Sequence, residues 1–241
     1  MLIEPILLKC PQCHHVYQHY TSLSGTIHES ISYTDGKTDV ISGMISFDPL
    51  LVKCRHCSAL FLFETAMQAV DEEADKPEPG PAEDLDFEQY HPDIGDFAKA
   101  LDQIKDLSKE QERDLRFQLW WEINDLIRYE SGIGERRSLW MDFVNYLYKP
   151  FRNCKKLHRN YPQYLKWKNL KNENLLKLIP LLHPENNVED SCILVEIYRE
   201  TKAFSKAKEE LQKLPDGRLK SFKKLQHKLI AQRNAFAMKI S

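Results

Sequence analysis

Two tetrapeptides, CPQC at residues 10–13 and CRHC at residues 54–57, decide the fold of the first part of the chain. Two cysteines three positions apart can bend into a knuckle that presents both sulfurs to one cation, and two knuckles complete a tetrahedral four-thiolate shell. Such a shell favours zinc, and iron in a rubredoxin-like site is the alternative. Four protein ligands leave no open coordination position, so the sequence predicts one structural zinc ion. Its predicted ligands are Cys10, Cys13, Cys54 and Cys57.

The competing interpretations of these cysteines are free thiols, disulfides and a redox motif. The N-terminus has no features of a secretory signal, which predicts a cytoplasmic and reducing location where disulfides are rare. A redox Cys-x-x-Cys begins a helix, whereas both motifs here lie between strand-like runs. Neighbouring histidines could replace a thiolate as ligands, although we expect them in loops. They are His14, His15 and His56.

The segment between the two motifs is rich in strand signals. Asp35-Gly36 is a two-residue hairpin turn signal between two such runs. We expect a small antiparallel sheet held by the metal, because about 70 residues rarely form a sufficient core without a staple. Lys9 and Lys53 directly precede the knuckles, where a positive charge offsets part of the negative charge of the thiolates. Strands are predicted at 16–21, 27–34, 37–42, 50–52 and 60–63.

Charge divides the rest of the chain. Residues 71–96 carry eleven acidic side chains against one basic, a net charge of −10, together with four prolines. Like-charge repulsion and the missing N–H of proline both oppose compact structure, so an extended acidic linker is predicted at 71–95. Residues 97–241 carry a net charge of +10. The predicted fold class is α+β, with a zinc-ribbon β domain at 1–70, the linker, and an all-helical domain at 96–241.

Apolar residues at three- and four-residue spacing predict helices throughout this last domain. Asp96 is the predicted N-cap of the first helix, and Ser108 with Gln111 forms a capping box that opens a longer helix ending near Tyr129. No apolar run approaches the ~20 residues of a membrane span, so no membrane partner is expected. Further helices are predicted at 138–149, at 151–159, from 162 to a break at Pro180, and at 188–201, 204–214 and 219–238.

Residues 192–215, CILVEIYRETKAFSKAKEELQKLP, resemble one tetratricopeptide (TPR) unit. The resemblance implies a TPR-like, helical-repeat-like domain. Stacked helix pairs of this kind present an extended groove that suits a peptide or protein partner. The positions that carry the resemblance are an aromatic, small residues, a second aromatic and a terminal proline: Tyr198, Ala203, Phe204, Ala207 and Pro215.

A second resemblance spans most of the chain. Residues 22–63, SLSGTIHESISYTDGKTDVISGMISFDPLLVKCRHCSALFLF, resemble a group of bacterial proteins without an assigned activity. In that group a Cys-x-x-Cys ribbon with an SG…(S/T)DGK segment precedes a helical region that bears a Trp…Asn-Asp patch. The corresponding patch here is LWWEIND at 119–125. The resemblance implies the two-part architecture and brings no catalytic residue.

Two runs, 149–171 and 218–239, are basic and contain no acidic residue. Basic groups that meet phosphates beside aromatic side chains that stack on bases are what nucleic-acid binding requires, and the first run interleaves both. The alternatives are a solvated lysine-rich helix face and an intramolecular contact with the acidic linker. The candidate polyanion-binding residues are Lys155, Lys156, Arg159, Lys166 and Lys168.

A second candidate surface lies on the helix with the adjacent tryptophans Trp120 and Trp121. Consecutive helical positions point about 100° apart, so one ring is expected in the core and the other at its edge. The alternative is two buried tryptophans beside an exposed Asp–Arg pair. The candidate partner patch consists of Trp121, Asn124, Asp125 and Arg128.

The sequence contains none of the usual enzyme signatures, namely GxGxxG, GxxxxGK(S/T), GxSxG or HExxH. We therefore expect a non-enzymatic binding or adaptor protein that offers a helical-repeat surface to a protein or peptide partner and carries a structural zinc ribbon. One alternative is a nucleic-acid-binding protein that uses the basic helices at 149–171 and 218–239. A second is an enzyme whose catalytic Cys–His or paired carboxylate residues lie far apart along the chain.

Overall fold

The structure is a computed structural model, and it describes residues 3–22, 29–42, 49–68, 92–131, 165–217 and 219–238. Short strands occupy the N-terminal part of these residues, and helices follow. The chain forms two compact units, Met1–Ile31 with Thr38–Leu119 and Ser32–Lys37 with Trp120–Ser241. We call the first the ribbon unit and the second the helical unit. The turn at 32–37 groups with the helical unit, and residues 96–119 group with the ribbon unit.

In the described residues the strands pair two by two as three hairpins. Strand β1 (Ile3–Lys9) is antiparallel to β2 (Val16–Ser22), and β5 (Leu51–Lys53) is antiparallel to β6 (Leu60–Leu62). Strand β3 (Glu29–Ser32) pairs with β4 (Thr38–Ser42) around the predicted turn. Strand β1 was missed because it contains Pro5 and a continuous apolar run, whereas alternation is the strand signal.

The first and last hairpins each carry one cysteine motif, and the core of the ribbon unit surrounds the two motifs. Two short helices follow. Helix α1 (Phe63–Gln68) was not predicted, and α2 (Ile94–Gln103) packs against β6. The buried cluster consists of Leu8, Cys10, Val52, Cys54, Phe61, Phe63 and Ala66.

Helix α2 begins three residues earlier than predicted, because its N-cap is Asp93 and not Asp96. The Asp93 carboxylate accepts from the Asp96 backbone N–H at 2.8 Å, and the Asp96 carboxylate accepts from the Asp93 N–H at 3.3 Å. The two aspartates thus form a reciprocal capping box. The box predicted at Ser108 and Gln111 is confirmed, with bonds of 2.9 and 3.1 Å, and it opens α3 (Lys109–Ser131).

The helical unit contains the second half of α3 and further helices joined by short turns. Pro180 lies in a 3₁₀ turn, Ile179–Leu181, that ends the preceding helix as predicted. The predicted helices at 138–149 and 151–159, and linker residues 71–91, lie outside the described residues. The remaining helices are α4 at 165–178, α5 (Val188–Glu200), α6 (Phe204–Lys213) and α7 (Lys220–Ala231).

Helices α5 and α7 both end on a non-glycine residue in the left-handed conformation, Lys202 (φ +63°) and Arg233 (φ +49°). At each end the two backbone N–H bonds of a Schellman motif are made, for example from Ala203 to the Tyr198 carbonyl at 2.7 Å. Helix α7 therefore stops at Ala231, seven residues before the predicted end. Among the described helices, none combines the length and hydropathy that crossing a bilayer requires.

Candidate metal centre and buried charge cluster

The four cysteines of the two motifs meet at one point in the ribbon unit. Their sulfur atoms all lie within 4.8 Å of one another, and the Sγ–Sγ distances are 3.6 Å for Cys10–Cys57 and 3.6 Å for Cys13–Cys54. A disulfide would bring two sulfurs to about 2.05 Å, whereas tetrahedral ligands 2.3 Å from a zinc ion lie about 3.8 Å apart. The spacing of the sulfurs therefore fits a tetrahedral metal site, as the sequence predicted.

The two knuckles have the same backbone geometry, which explains how the sulfurs converge. In each, the first cysteine donates its N–H to a carbonyl five residues later and accepts from an N–H four residues later. The distances are 2.9 and 2.9 Å for Cys10, and 2.8 and 2.9 Å for Cys54. The residue after the second cysteine is left-handed, at φ +59° for His14 and φ +61° for Ser58. Glycine is favoured in that conformation, so both positions carry some backbone strain.

Without a cation, burial and the neighbouring thiols oppose the ionisation of Cys10 and Cys57. Burial raises the pKa of the Cys10 thiol. The backbone N–H of Ala59 lowers the pKa of Cys57, but desolvation and the neighbouring thiols outweigh it and raise that pKa to about 12. A divalent cation reverses this balance, because metal binding stabilises thiolates and releases their protons. The donor set is therefore chemically suited to a soft divalent metal.

The neighbouring histidines are not part of this ligand cluster. In the part of the chain that the structure describes, the cluster able to hold a metal consists of the four cysteines alone. The rings of His15 and His56 instead stack on each other, with centroids 5.4 Å apart and an interplanar angle of 5°.

Lys53, expected to offset the charge of the thiolates, is paired with a carboxylate of α2. Its Nζ lies 3.1 and 2.9 Å from the two carboxylate oxygens of Asp96, which is buried. The residue that enters the second knuckle is thus fixed to the first turn of α2.

A second feature, in the helical unit, was not predicted: a cluster of buried charged and polar side chains. We call it the charge cluster. It joins the turn at 32–37 to α3, α4 and α5, and each member is at most 7 % exposed. Its members are Thr34, Asp35, Asn124, Arg128, Lys171, Glu196, Arg199 and Glu200.

Asp35 lies at the α3 side of the charge cluster. Its Oδ2 accepts from Asn124 Nδ2 at 2.8 Å and from Arg128 Nη1 at 2.9 Å. Its backbone carbonyl accepts from Trp121 Nε1 at 3.0 Å. Burial raises the pKa of Asp35, although the Arg128 guanidinium opposes the rise. The same carboxylate raises the pKa of Arg128 against the effect of burial, so this is an ion pair in which each charge stabilises the other.

Glu200 is the second carboxylate that accepts hydrogen bonds from side chains of α3. It accepts from Trp120 Nε1 at 2.9 Å, from Lys171 Nζ at 3.0 Å and from Asn124 Nδ2 at 3.2 Å. Burial alone would raise its pKa, but the charges of Lys171 and Arg199 and the donated hydrogen bonds lower it overall. Asn124 therefore bridges the carboxylates of Asp35 and Glu200.

Glu196 and Arg199 lie one helical turn apart on α5 and bind the other side of the turn. Thr34 Oγ1 donates to Glu196 Oε1 at 2.6 Å, and Arg199 Nε donates to Glu196 Oε2 at 3.1 Å. Gln226 of α7 donates to the same carboxylate at 2.8 Å. Burial raises the pKa of Glu196 to about 7 even though Arg199 opposes the rise.

Gly36 completes the fit of the turn. Its φ is +82°, and a Cβ at this position would lie 2.9 Å from the Ile193 side chain. The left-handed conformation favours glycine here, and a larger residue would also require the end of the Ile193 side chain to move.

The four residues of the predicted partner patch differ in their burial. Asn124 and Arg128 are buried in the charge cluster, which removes them from the exposed surface that a partner patch requires, while Trp121 and Asp125 are partly exposed. Arg128 also lies over the Tyr33 ring, 4.1 Å from its centroid, and pairs with Asp125.

Two of the five candidate polyanion-binding residues, Lys166 and Lys168, lie in the part of the chain that the structure describes. Lys166 is exposed and lies 4.9 Å from the centroid of the Trp167 ring, and Lys168 is half-buried. Lys171, in the same basic run, is buried against Glu200. Lys155, Lys156 and Arg159 lie outside the described residues.

Comparison of the chain with protein-family models, with curated proteins and with solved structures finds no significant match. The two sequence segments quoted above for the bacterial resemblance, TDGK at 34–37 and WWEIND at 120–125, meet in the charge cluster. Their joint occurrence was the one signal in the sequence from which this contact could have been predicted.

Proposed function

We propose that the chain is a non-enzymatic binding or adaptor protein whose N-terminal ribbon is held by one structural zinc ion and whose helical unit supplies a partner surface. The observation that supports the zinc part of the proposal is the convergence of four cysteine sulfurs within 4.8 Å. Zinc, when bound, would supply four bonds that fix the two knuckles, and Cys10, Cys13, Cys54 and Cys57 would hold it. A site with four protein thiolates leaves no position for a substrate, which supports a structural role.

The charge cluster supports the non-enzymatic part of the proposal. Its carboxylates and cations pair with one another, so the buried charge is neutralised without a substrate. The helix pair α5–α6 supports the comparison with a helical repeat, because the two helices are consecutive, pack against each other and bury Val195, Ala207 and Leu211. Such pairs present surfaces suited to peptide or protein partners.

The zinc part is tested by metal analysis of the purified full chain. We expect one zinc per chain, and we expect the Cys13→Ser and Cys57→Ser variants to lose most of it. Cys192→Ser is the matched control, because Cys192 is a half-buried thiol on α5 outside the ligand cluster. Iron in place of zinc would correct the identity of the metal, and the absence of any stoichiometric metal would refute this part of the proposal.

The binding part is tested by affinity capture of the tagged full chain from native lysate, with and without nuclease. A defined protein that is retained after nuclease treatment supports the adaptor role. If every captured protein is released by nuclease, the alternative function below replaces it.

Nucleic-acid binding is the alternative, and one observation favours it. Lys220, Lys224 and Lys228 are exposed at four-residue intervals along α7, so they form one row about 12 Å long. No acidic residue follows Asp216 in the sequence. A row of three cations on one helix face can follow a phosphate backbone.

The alternative predicts salt-sensitive binding of single-stranded RNA or DNA. Each neutralised phosphate contributes a slope of about −0.7 in a plot of log affinity against log salt. Replacing the three row lysines by alanine should reduce that slope by about two. Replacing the exposed Lys177, Lys202 and Lys208 instead controls for the loss of three charges. Equal effects of the two triple variants would remove the row on α7 as the binding surface.

A further inference from the structure

The turn at 32–37 has a shape set by its own hydrogen bonds. The Tyr33 N–H donates to the Lys37 carbonyl at 2.9 Å, and the Gly36 N–H donates to the Tyr33 carbonyl at 3.1 Å. The Lys37 N–H also donates to the Asp35 carboxylate at 3.3 Å. A short peptide of this sequence can make the same local bonds when it is bound.

The groups that hold this turn come from distant parts of the chain. On one side, Asn124 and Arg128 of α3 hold the Asp35 carboxylate at 2.8 and 2.9 Å. On the other side, Glu196 of α5 accepts from the Thr34 hydroxyl at 2.6 Å. The backbone of Met238 exchanges two further bonds with Thr34, at 2.8 and 2.9 Å.

Each of three residues in the turn is recognised by a different contact. A charged and an amide donor recognise the aspartate, a buried carboxylate recognises the threonine hydroxyl, and the φ of +82° at position 36 favours glycine. If the turn were absent, Arg128, Asn124 and Glu196 would each lose one buried hydrogen-bond partner and keep another, namely Asp125, Glu200 and Arg199. The loss of a buried hydrogen bond is costly. The site therefore has the properties of a receptor for a short acidic turn.

We infer that the helical unit contains a recognition site for a Thr-Asp-Gly turn, which the chain fills with its own residues 34–36. The inference rests on the proposed binding role and names the site and the chemistry of its ligand. The turn acts as an internal ligand, and a partner's acidic turn binds only when it displaces the internal one. A tethered occupant has an effective concentration in the millimolar range, so the wild-type site is blocked against weak ligands.

The test uses the full chain and a synthetic nine-residue peptide with the sequence of residues 31–39, ISYTDGKTD. An Asp35→Asn variant weakens the internal turn and leaves the receptor side chains in place. We expect this variant to bind the peptide at least tenfold more tightly than the wild type does. The matched control peptide carries asparagine in place of its aspartate, and we expect it to bind at least tenfold more weakly. Binding is followed by tryptophan fluorescence, because Trp121 contacts the turn.

A second variant locates the peptide. Adding Arg128→Met to Asp35→Asn removes the cation that holds the carboxylate, and we expect peptide binding to be lost. Equal affinity for both peptides, equal affinity of wild type and variant, or unchanged binding by the double variant would overturn the inference. If the Asp35→Asn chain is unfolded, the aspartate peptide is expected to restore the folded fluorescence and the asparagine peptide is not. Failure of that rescue overturns the inference equally. Zinc content and partner capture are independent of these results, so the proposed function can stand if this site does not.

Discussion

Replacing Arg128 by methionine is expected to destabilise the helical unit by about 3–5 kcal/mol, the cost of removing one partner of a buried ion pair. Methionine keeps much of the apolar stem and removes the guanidinium. Arg128 is 6 % exposed and Asp35 is fully buried, and Nη1 lies 2.9 Å from the carboxylate. After the substitution, Asn124 remains as the side-chain donor to the buried Asp35 charge among the described contacts. The contact with the Tyr33 ring is lost as well, and such contacts contribute about 0.5–2 kcal/mol.

The double-mutant cycle with Asp35→Asn isolates the interaction of the pair. Asp35→Asn should cost less than Arg128→Met, because Arg128 retains the partly exposed Asp125 as a partner. The double variant should be less destabilised than the sum of the single variants, by about 1–3 kcal/mol, as neighbours in one network behave. Denaturant unfolding is followed by tryptophan fluorescence. All four tryptophans lie between residues 120 and 167, so the signal reports on the helical unit.

The matched control is Lys213→Met, which removes an ion pair with Glu210 on the surface of α6. Surface pairs contribute about 0–1 kcal/mol, so this variant should unfold almost as the wild type does. The reasoning is refuted if Arg128→Met costs less than about 1 kcal/mol, or if the two single effects add without coupling.

Three further predictions concern a helix end, a titration and the metal. Lys202→Gly should stabilise the helical unit by about 1 kcal/mol, because glycine removes the strain of a left-handed lysine. The control, Lys202→Ala, should not stabilise the unit. The two variants are compared with the wild type by their denaturant midpoints. Glu196, with its pKa raised to about 7 from 4.5, binds its proton more tightly in the folded state. The wild-type unfolding free energy should therefore fall between about pH 5 and pH 7 relative to that of Glu196→Gln; a rise over that window would contradict the burial argument. Removing the metal with a chelator under reducing conditions should unfold the ribbon unit, because metal-binding free energy is folding free energy in such sites. Circular dichroism should show the loss, and added zinc should reverse it; an unchanged spectrum after verified metal loss would mean that the ribbon folds without it.

The metal centre was predictable because its signal is local and repeated. Each knuckle is encoded within six residues, and the two copies predicted that the four cysteines meet. The strands β2 to β6 were predicted from the same kind of local pattern. The N-cap of α2 was misplaced because Asp93 and Asp96 both satisfy the capping signal, and only the reciprocal bonds distinguish them.

The charge cluster was not predictable by those means, because its residues carry surface signals. Arg128 and Asn124 follow apolar positions on α3 in the way that solvent-facing residues do, and hydrophobic periodicity assigns them to the exposed face. Asp35 precedes a glycine in a turn signal, where aspartate is normally solvated. Burial of these residues depends on partners 76 to 93 positions away, and no local pattern encodes that distance.

The charge cluster places charged and polar side chains at a buried position that apolar side chains could also fill. Apolar side chains of similar volume would often stabilise such a position as well or better, because charges must first be desolvated. What apolar packing does not supply is selectivity between a threonine-aspartate-glycine turn and other turns of the same size. The hydrogen bonds that Asn124 and Arg128 donate to Asp35, and the bond that Glu196 accepts from Thr34, do supply it, because a wrong turn loses these buried hydrogen bonds. A site that is costly for stability and demanding of its occupant is more readily explained by recognition than by folding alone, and the peptide experiment separates the two.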